Sequence, residues 1–224
     1  MGAAAAAPSS RTLIELIQPG DRLYREAVSW DEYEALLAEL DGVRNVRISF
    51  DQGRMEIMPI SLEHEGFAKL FGYLIQALTE ELNFSFMSRG STTLKRKSRA
   101  QGKEPDDCFY IEDLDRIRGK KRLDLEQDAP PDLAIEVDVT NPTLNKFSIY
   151  AGLGVPELWR YHEGEVEFYR LEDDHYVLST TSGLFPFLTP EAVTEAIAQG
   201  DEEDINFMLR AFRQWVRANK PPTQ

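Results

Sequence analysis

Cysteine, histidine and basic charge are all scarce in this chain, and each scarcity removes a class of function. One cysteine, Cys108, leaves no partner for an intrachain disulfide and no thiolate set for a zinc cluster. The histidines, His64, His162 and His175, fall at no spacing that suits a zinc hydrolase. Lysine and arginine number 25 against 39 aspartates and glutamates, a net charge of −14. Such a surface repels polyanions unless basic residues gather locally or a cation intervenes. No apolar run approaches the ~20 residues that cross a bilayer. The alanine-rich start, Met1 to Pro8, lacks the basic n-region and the apolar length of a secretory signal. The expectation is a soluble, cytoplasmic protein. It has a disordered tail over residues 1–20, one domain over 21–188, and a helical extension of that domain over 189–219.

What is present is concentrated between Pro131 and Trp159. Leu133, Ile135, Val137 and Val139 alternate with Ala134, Glu136, Asp138 and Thr140, the period of two that makes a β-strand. The acids Asp132, Glu136 and Asp138 share its second face. Asn141-Pro142 is a turn and helix-start signal. A helix with Lys146 in its first turns then carries Phe147, Ile149, Tyr150 and Leu153, and Gly152 and Gly154 can close it. Val155 to Trp159 returns as a strand. Strand–helix–strand means a right-handed crossover and a central sheet. Carboxylates on the strand with a lysine on the next helix suit a divalent-cation site. Acids facing solvent on an edge strand, with a surface lysine, fit the same residues equally well.

Along the rest of the chain, Ser29 and Glu32 form a capping box that opens a helix with Tyr33, Leu36, Leu37 and Leu40 on one side, ending at Asp41-Gly42. Val43–Phe50 and Arg54–Met58 flank the hairpin signal Asp51-Gln52-Gly53. Ser61 opens an amphipathic helix with Phe67, Leu70, Phe71, Leu74, Leu78 and Leu82 at helical spacing. Glu63 and His64 sit in its first turn beside that stripe. His64 is a capping or core-edge histidine, or else an active-site group. Phe84 to Leu94 reads as a strand interrupted by Gly90. Lys95, Arg96, Lys97, Arg99 and Lys103 then form the clearest basic cluster, either a solvated loop or a phosphate contact. Glu104-Pro105-Asp106-Asp107 leads into a short strand, with Asp106 and Asp107 on opposite faces. Residues 112–129 read as a charged loop or short helix. Residues 165–171 and 175–181 form an outer hairpin turning at Asp173-Asp174. Thr189-Pro190-Glu191 starts the first of two helices, 190–199 and 203–219. The second would bury Phe207, Leu209, Phe212 and Trp215 or Val216. Trp159 and Trp215 are expected in the core, and His162 and His175 at the surface.

Pro105-Asp106 followed by Glu136-Val137-Asp138 resembles the PD-(D/E)XK signature of restriction-endonuclease-like nucleases. The chain is more closely similar to the bacterial Uma-two family. The likeness lies in the hairpin ending at Met58, the helix with His64, Pro105-Asp106, Pro131 through Val137, and Lys146 followed by Tyr150 and the run Gly154 to Trp159. The resemblance spans about residues 29 to 190. It implies a mixed α/β fold, a restriction-endonuclease-like central sheet flanked by helices, with further helices at the C-terminus. It also implies that Asp106 and Glu136 are metal ligands and that Lys146 does the work of the signature lysine. The position two beyond Glu136 holds Asp138 where the plain signature has lysine, so Asp138 either adds a third ligand or binds Lys146.

The implied chemistry is phosphodiester hydrolysis. Mg²⁺ or Mn²⁺, held by Asp106 and Glu136 with the Val137 carbonyl, would supply an activated water and countercharge. Lys146 would orient or deprotonate the water, or neutralise the phosphate. Lys95, Arg96, Lys97 and Arg99 would hold the DNA backbone, and a homodimer would cut both strands. The competing readings are a degenerate nuclease fold serving as a binding or scaffold protein, and an oligomerisation or regulatory module with solvated acids.

Overall fold

The structure is a computed structural model that describes residues 21–40, 46–111, 114–138 and 144–222. The expected tail over 1–20, the helix end at Asp41-Gly42, the strand extension over Val43, and Val139 through Pro142 lie outside the described residues.

Two sheets organise the described chain. The first joins β1 (Leu23–Arg25), β2 (Val46–Asp51), β3 (Arg54–Pro59), β5 (Leu94–Arg96) and β6 (Gln101–Lys103) in the order β1-β3-β2-β6-β5. All its pairings are antiparallel. The second joins β4 (Met87–Ser88), β7 (Asp107–Tyr110), β8 (Leu133–Asp138), β9 (Glu157–His162), β10 (Glu165–Glu172) and β11 (His175–Ser179) in the order β11-β10-β9-β8-β7-β4. It is mixed, because β8 and β9 run parallel while its other pairs are antiparallel. Parallel neighbours need a crossover connection. Helix α3 (Lys146–Leu153), capped by Asn145 and closed at Gly154, lies within it. The helix therefore starts later than Asn141-Pro142 suggests, because the Asn145 side chain accepts from the Phe147 and Ser148 amides.

The period of two in β8 explains how the site is held. Leu133, Ile135 and Val137 share one hydrophobic cluster with Phe67, Phe71, Leu74 and Leu78 of α2 (Leu62–Leu82). Ala134, on the other face, belongs to a second cluster with Ile149, Tyr150 and Leu153 of α3 and Leu94 of β5. Glu136 and Asp138 share Ala134's face, so they lie inside the protein. β8 is a central strand buried along its whole length, and its acids do not face solvent.

The first sheet behaves similarly. Val46, Ile48 and Phe50 of β2 pack with Tyr33, Leu36 and Leu40 of or beside α1 (Trp30–Glu39). Their alternates Arg47, Ser49 and Asp51 are buried polar groups, as are Gln101 and Lys103 of β6. The fit is close: a Cβ on Gly102 would fall 2.1 Å from the Tyr33 hydroxyl, so only glycine lets the buried tyrosine lie against β6.

Several sequence expectations shift. Phe84–Leu94 is not one strand; Met87–Ser88 pairs with β7, Leu94 opens β5 in the other sheet, and Gly90 with φ +54° breaks the run between them. Glu63 is exposed, whereas His64 is buried. The last helices are α4 (Pro190–Glu202) and α5 (Ile205–Asn219). α5 buries Met208, Phe212 and Val216, spaced by four; Phe207 is exposed, and Leu209 and Trp215 are only partly covered. α4 and α5 pack in the same cluster as α2. Among the described residues, no helix is long and apolar enough to cross a membrane.

Candidate active site

Asp106 sits one residue before β7, where its amide donates to the Ile135 carbonyl at 3.1 Å. Its Oδ2 accepts the Val137 amide of β8 at 2.8 Å. These two bonds straddle Glu136 and pin Asp106 beside it. Burial, and then the Glu136 charge, push the Asp106 carboxyl above its ordinary range.

Glu136 is met by cations from two directions. Lys146 Nζ, from the first residue of α3, lies 2.7 Å from Oε2. Lys103 Nζ, from β6, lies 3.0 Å from Oε1. The Tyr150 hydroxyl donates to that same Oε1. Burial alone would raise this carboxyl, but the two ammonium groups and Tyr150 outweigh it and hold it down at about 2. Burial likewise works against the Lys146 charge, yet Glu136 and Asp138 raise its pKa. Its ammonium therefore stays protonated at any ordinary pH.

Asp138 divides its oxygens. Oδ1 accepts from Lys146 Nζ at 2.6 Å, and Oδ2 accepts from Arg160 Nε of β9 at 2.7 Å. With both oxygens on cations, it stands as the holder of Lys146. His162 lies half-buried behind it, with Nδ1 3.2 Å from the Asp138 carbonyl, and so is not the surface histidine that the sequence suggests.

His64 enters from the first turn of α2, where Ser61 caps its amide at 3.1 Å. Its Nε2 is 3.4 Å from Asp106 Oδ2. Both ring nitrogens are buried without a hydrogen-bond partner among the described residues.

Asp106, Glu136, Asp138, Lys146 and His64 thus come together. The basic run does not gather as expected. Lys95 pairs with Glu34 at 2.7 Å. Arg96 donates to the carbonyls of Leu125 and Gly152, at 3.1 and 3.0 Å. Lys97 and Arg99 are exposed on a short 3-10 turn. Lys103, read as a member of that run, is instead buried against Glu136. Arg47, with Nε 3.4 Å from Asp106 Oδ1, was not singled out by the sequence at all. The signal for it was the alternation Arg47, Ser49, Asp51 opposite Val46, Ile48, Phe50, once that polar face is understood to be covered. Asp107 accepts from the Ser88 hydroxyl and the Cys108 amide, both at 2.8 Å. Asp132 accepts from the Ile111 amide and Arg116, at 2.6 and 2.8 Å. Both arrangements serve the backbone.

The donors suit a hard cation of restricted kind. The Glu136 charge raises the proton affinity of Asp106, which an added cation would relieve. Among the described residues, no three His, Cys, Asp or Glu side chains cluster to cage an ion. A Mg²⁺-type ion needs only one or two carboxylates, with water and substrate phosphate completing its shell. Asp106 and Glu136 fit that role.

The family model Uma2, described as "Putative restriction endonuclease", matches residues 30–200. Among solved structures, the chain is similar to one described as a "putative nuclease belonging to DUF820 from Anabaena variabilis". The two share 14% identity at a TM-score of 0.44, over 74% of this chain and 90% of the other. No curated protein matches.

Proposed function

Because the chain belongs to the Uma2 family, we propose that it is a divalent-metal-dependent endonuclease that hydrolyses phosphodiester bonds in DNA. The observation that carries this reading is the meeting of Asp106, Glu136 and Lys146 in one buried cluster. Asp106 and Glu136, with the Val137 carbonyl, would hold Mg²⁺ or Mn²⁺. When bound, the ion supplies countercharge at the scissile phosphate and an acidified water.

The chain's own residues do the rest. Lys146, kept charged by Glu136 and Asp138, stabilises the charge that develops on phosphate oxygens and does not act as a base. Asp138 and Arg160 fix its position. His64, whose Nε2 lies 3.4 Å from Asp106 Oδ2, would accept a proton from the attacking water. Lys97 and Arg99, exposed on their turn, contact the DNA backbone. A homodimer would cut both strands. The buried free thiol of Cys108 suits a reducing, cytoplasmic setting.

The test is nicking of supercoiled plasmid with and without Mg²⁺. Asp106→Ala, Glu136→Gln and Lys146→Ala should each lose at least ~100-fold in rate with an unchanged circular dichroism spectrum. Undiminished nicking by these variants would remove the assignment.

A second reading is favoured by one observation. Both Glu136 oxygens already face internal cations, and the Asp106 and Glu136 side chains are each 2% exposed. A nuclease fold closed in this way could serve as a binding or scaffold protein, and would then show neither nicking nor stabilisation by Mg²⁺.

A further inference from the structure

Two guanidinium side chains, each with an Nε–H that lacks a hydrogen-bond partner among the described residues, line the same cavity. Arg47 Nε and Arg89 Nε are both buried with no hydrogen-bond partner among the described residues. Both side chains line a cavity of about 560 Å³ that reaches Asp106. Their other contacts are few. Arg47 Nη2 donates to Glu65 Oε1 at 3.2 Å, while its Nε stands 3.4 Å from Asp106 Oδ1. Arg89 Nη2 donates to the Ile117 carbonyl at 3.0 Å and lies 3.9 Å from the Met87 sulfur.

A buried donor left unmet is costly, more so on a charged group, and folded proteins keep few of them. Two guanidinium side chains lining one cavity suit an anion with several acceptor oxygens. The planar guanidinium fork matches phosphate in this way.

The cavity does not end there. It shares Arg47, Ser91 and Thr92 with a neighbouring cavity of the same volume, whose lining includes the exposed Lys121 and Arg122. Six lysines and arginines and five acids line the pair, a balance of +1 in a chain of −14. The lining is therefore less hostile to a polyanion than the chain's overall charge.

We propose that Arg47 and Arg89 form a phosphate clamp beside Asp106, and that the trough carries one nucleic-acid strand from the clamp past Ser91 and Thr92 to Lys121 and Arg122. The proposal rests on the nuclease reading above for the nature of the ligand. It adds a path that the basic run at 95–99 does not supply.

The experiment separates the two. A fluorescein-labelled single-stranded DNA of about 20 nucleotides is titrated in EDTA at several salt concentrations, so that binding is read without cleavage. Arg89→Lys keeps the charge but removes the fork, and should weaken binding about tenfold. Lys121→Ala with Arg122→Ala, both at the surface and checked for an unchanged circular dichroism spectrum, should flatten the slope of log K against log salt by about 1.4, at ~0.7 for each lost phosphate contact on a single strand. Arg210→Ala, exposed on α5, removes the same charge elsewhere and should leave both quantities unchanged.

The clamp is overturned if the parent does not bind the oligonucleotide, or if the Lys121/Arg122 variant keeps the parent slope. It is also overturned if the slope falls only in Lys97→Ala with Arg99→Ala. Metal-dependent nicking with unaltered KM in the Arg89 and Lys121/Arg122 variants would overturn the clamp and leave the hydrolytic reading standing. Binding that weakens as expected in a protein that never nicks plasmid would support the clamp and remove hydrolysis.

Discussion

Lys103 and Lys146 hold opposite oxygens of one carboxylate: Lys103 Nζ is 3.0 Å from Glu136 Oε1, and Lys146 Nζ is 2.7 Å from Oε2. The two lysines come from different layers, one from β6 of the first sheet and one from α3. Glu136 is therefore the point at which the first sheet, the second sheet and the crossover helix are tied by charge.

Lys103→Met tests that tie. Removing one partner of a buried pair leaves charge uncompensated, at a cost of ~3–5 kcal/mol. Lys146 remains on Glu136, so the expected loss is about 3 kcal/mol, read as a lower urea midpoint. Adding Glu136→Gln to Lys103→Met should recover part of it. A single variant as stable as the parent would mean that Lys103 contributes no net stabilisation to the cluster.

Asp138→Asn tests the holder of Lys146. The amide keeps the shape but loses the charge that Lys146 and Arg160 share. Residues that orient a reacting group from behind cost ~10–100-fold when changed. Nicking should fall by that amount while the Mg²⁺ concentration for half-maximal rate stays put. A raised Mg²⁺ requirement with an unchanged maximal rate would make Asp138 a ligand instead.

Much of this arrangement was legible in the residues. The Ser29–Glu32 box caps α1, with Ser29 accepting the Glu32 amide and Glu32 accepting the Ser29 amide. Asp51-Gln52-Gly53 joins β2 to β3, and Lys146 heads its helix beside the acids of β8. These rest on local signals: capping, turn chemistry and strong periodicity. Lys103 was hidden because Gln101–Lys103 is a three-residue strand, too short to show a period, within a run of bases that reads as solvated. Its partner Glu136 is far along the chain, and only the docking of the first sheet against α3 brings them together. The same docking buries the Arg47, Ser49 and Asp51 face, which by alternation alone belongs to solvent. On α5 the difference is one of helix rotation: large aromatics suggest Phe207, but the contact with α2 and α4 selects Met208.

Gly152→Ala tests that docking without touching a charge. A Cβ on Gly152 would fall 1.7 Å from Gln101 Oε1, so the buried glutamine side chain crosses α3 where the glycine stands. From there Gln101 Nε2 donates to Asp51 Oδ1 at 2.9 Å and to the Ser148 carbonyl at 3.2 Å. An alanine must push Gln101 aside and break both bonds. Overpacking costs ~1–3 kcal/mol, so a thermal melt should show a loss of about 2–3 kcal/mol. Gln101→Ala combined with Gly152→Ala should cost less than the two single changes added together. Strict additivity would show that the two positions do not compete for space.

The acid limb of stability should depend on the clamp between α2 and α5. Arg217 donates through Nε to Glu81 Oε2 at 2.8 Å and through Nη2 to Oε1 at 2.7 Å, a bidentate pair, and Arg213 reaches Oε1 at 3.5 Å. Hydrogen bonding from Arg217, more than its charge alone, lowers the Glu81 pKa below its ordinary 4.5. For a carboxyl depressed on folding, the stabilisation is complete above the unfolded pKa and is lost as pH falls through the folded one. Glu80, depressed by Gln76 and Arg213, has the same sign. Arg217→Ala should therefore lower stability at neutral pH and barely change it once pH is below the folded pKa of Glu81. The difference between the parent and variant urea midpoints should shrink as pH is lowered from 6 toward 3. A difference that holds constant across that range would show that Arg217 stabilises through the packing of its aliphatic stem and not through Glu81. One that vanishes at high salt already at pH 7 would mark the pair as a screened surface contact that does not join α5 to α2.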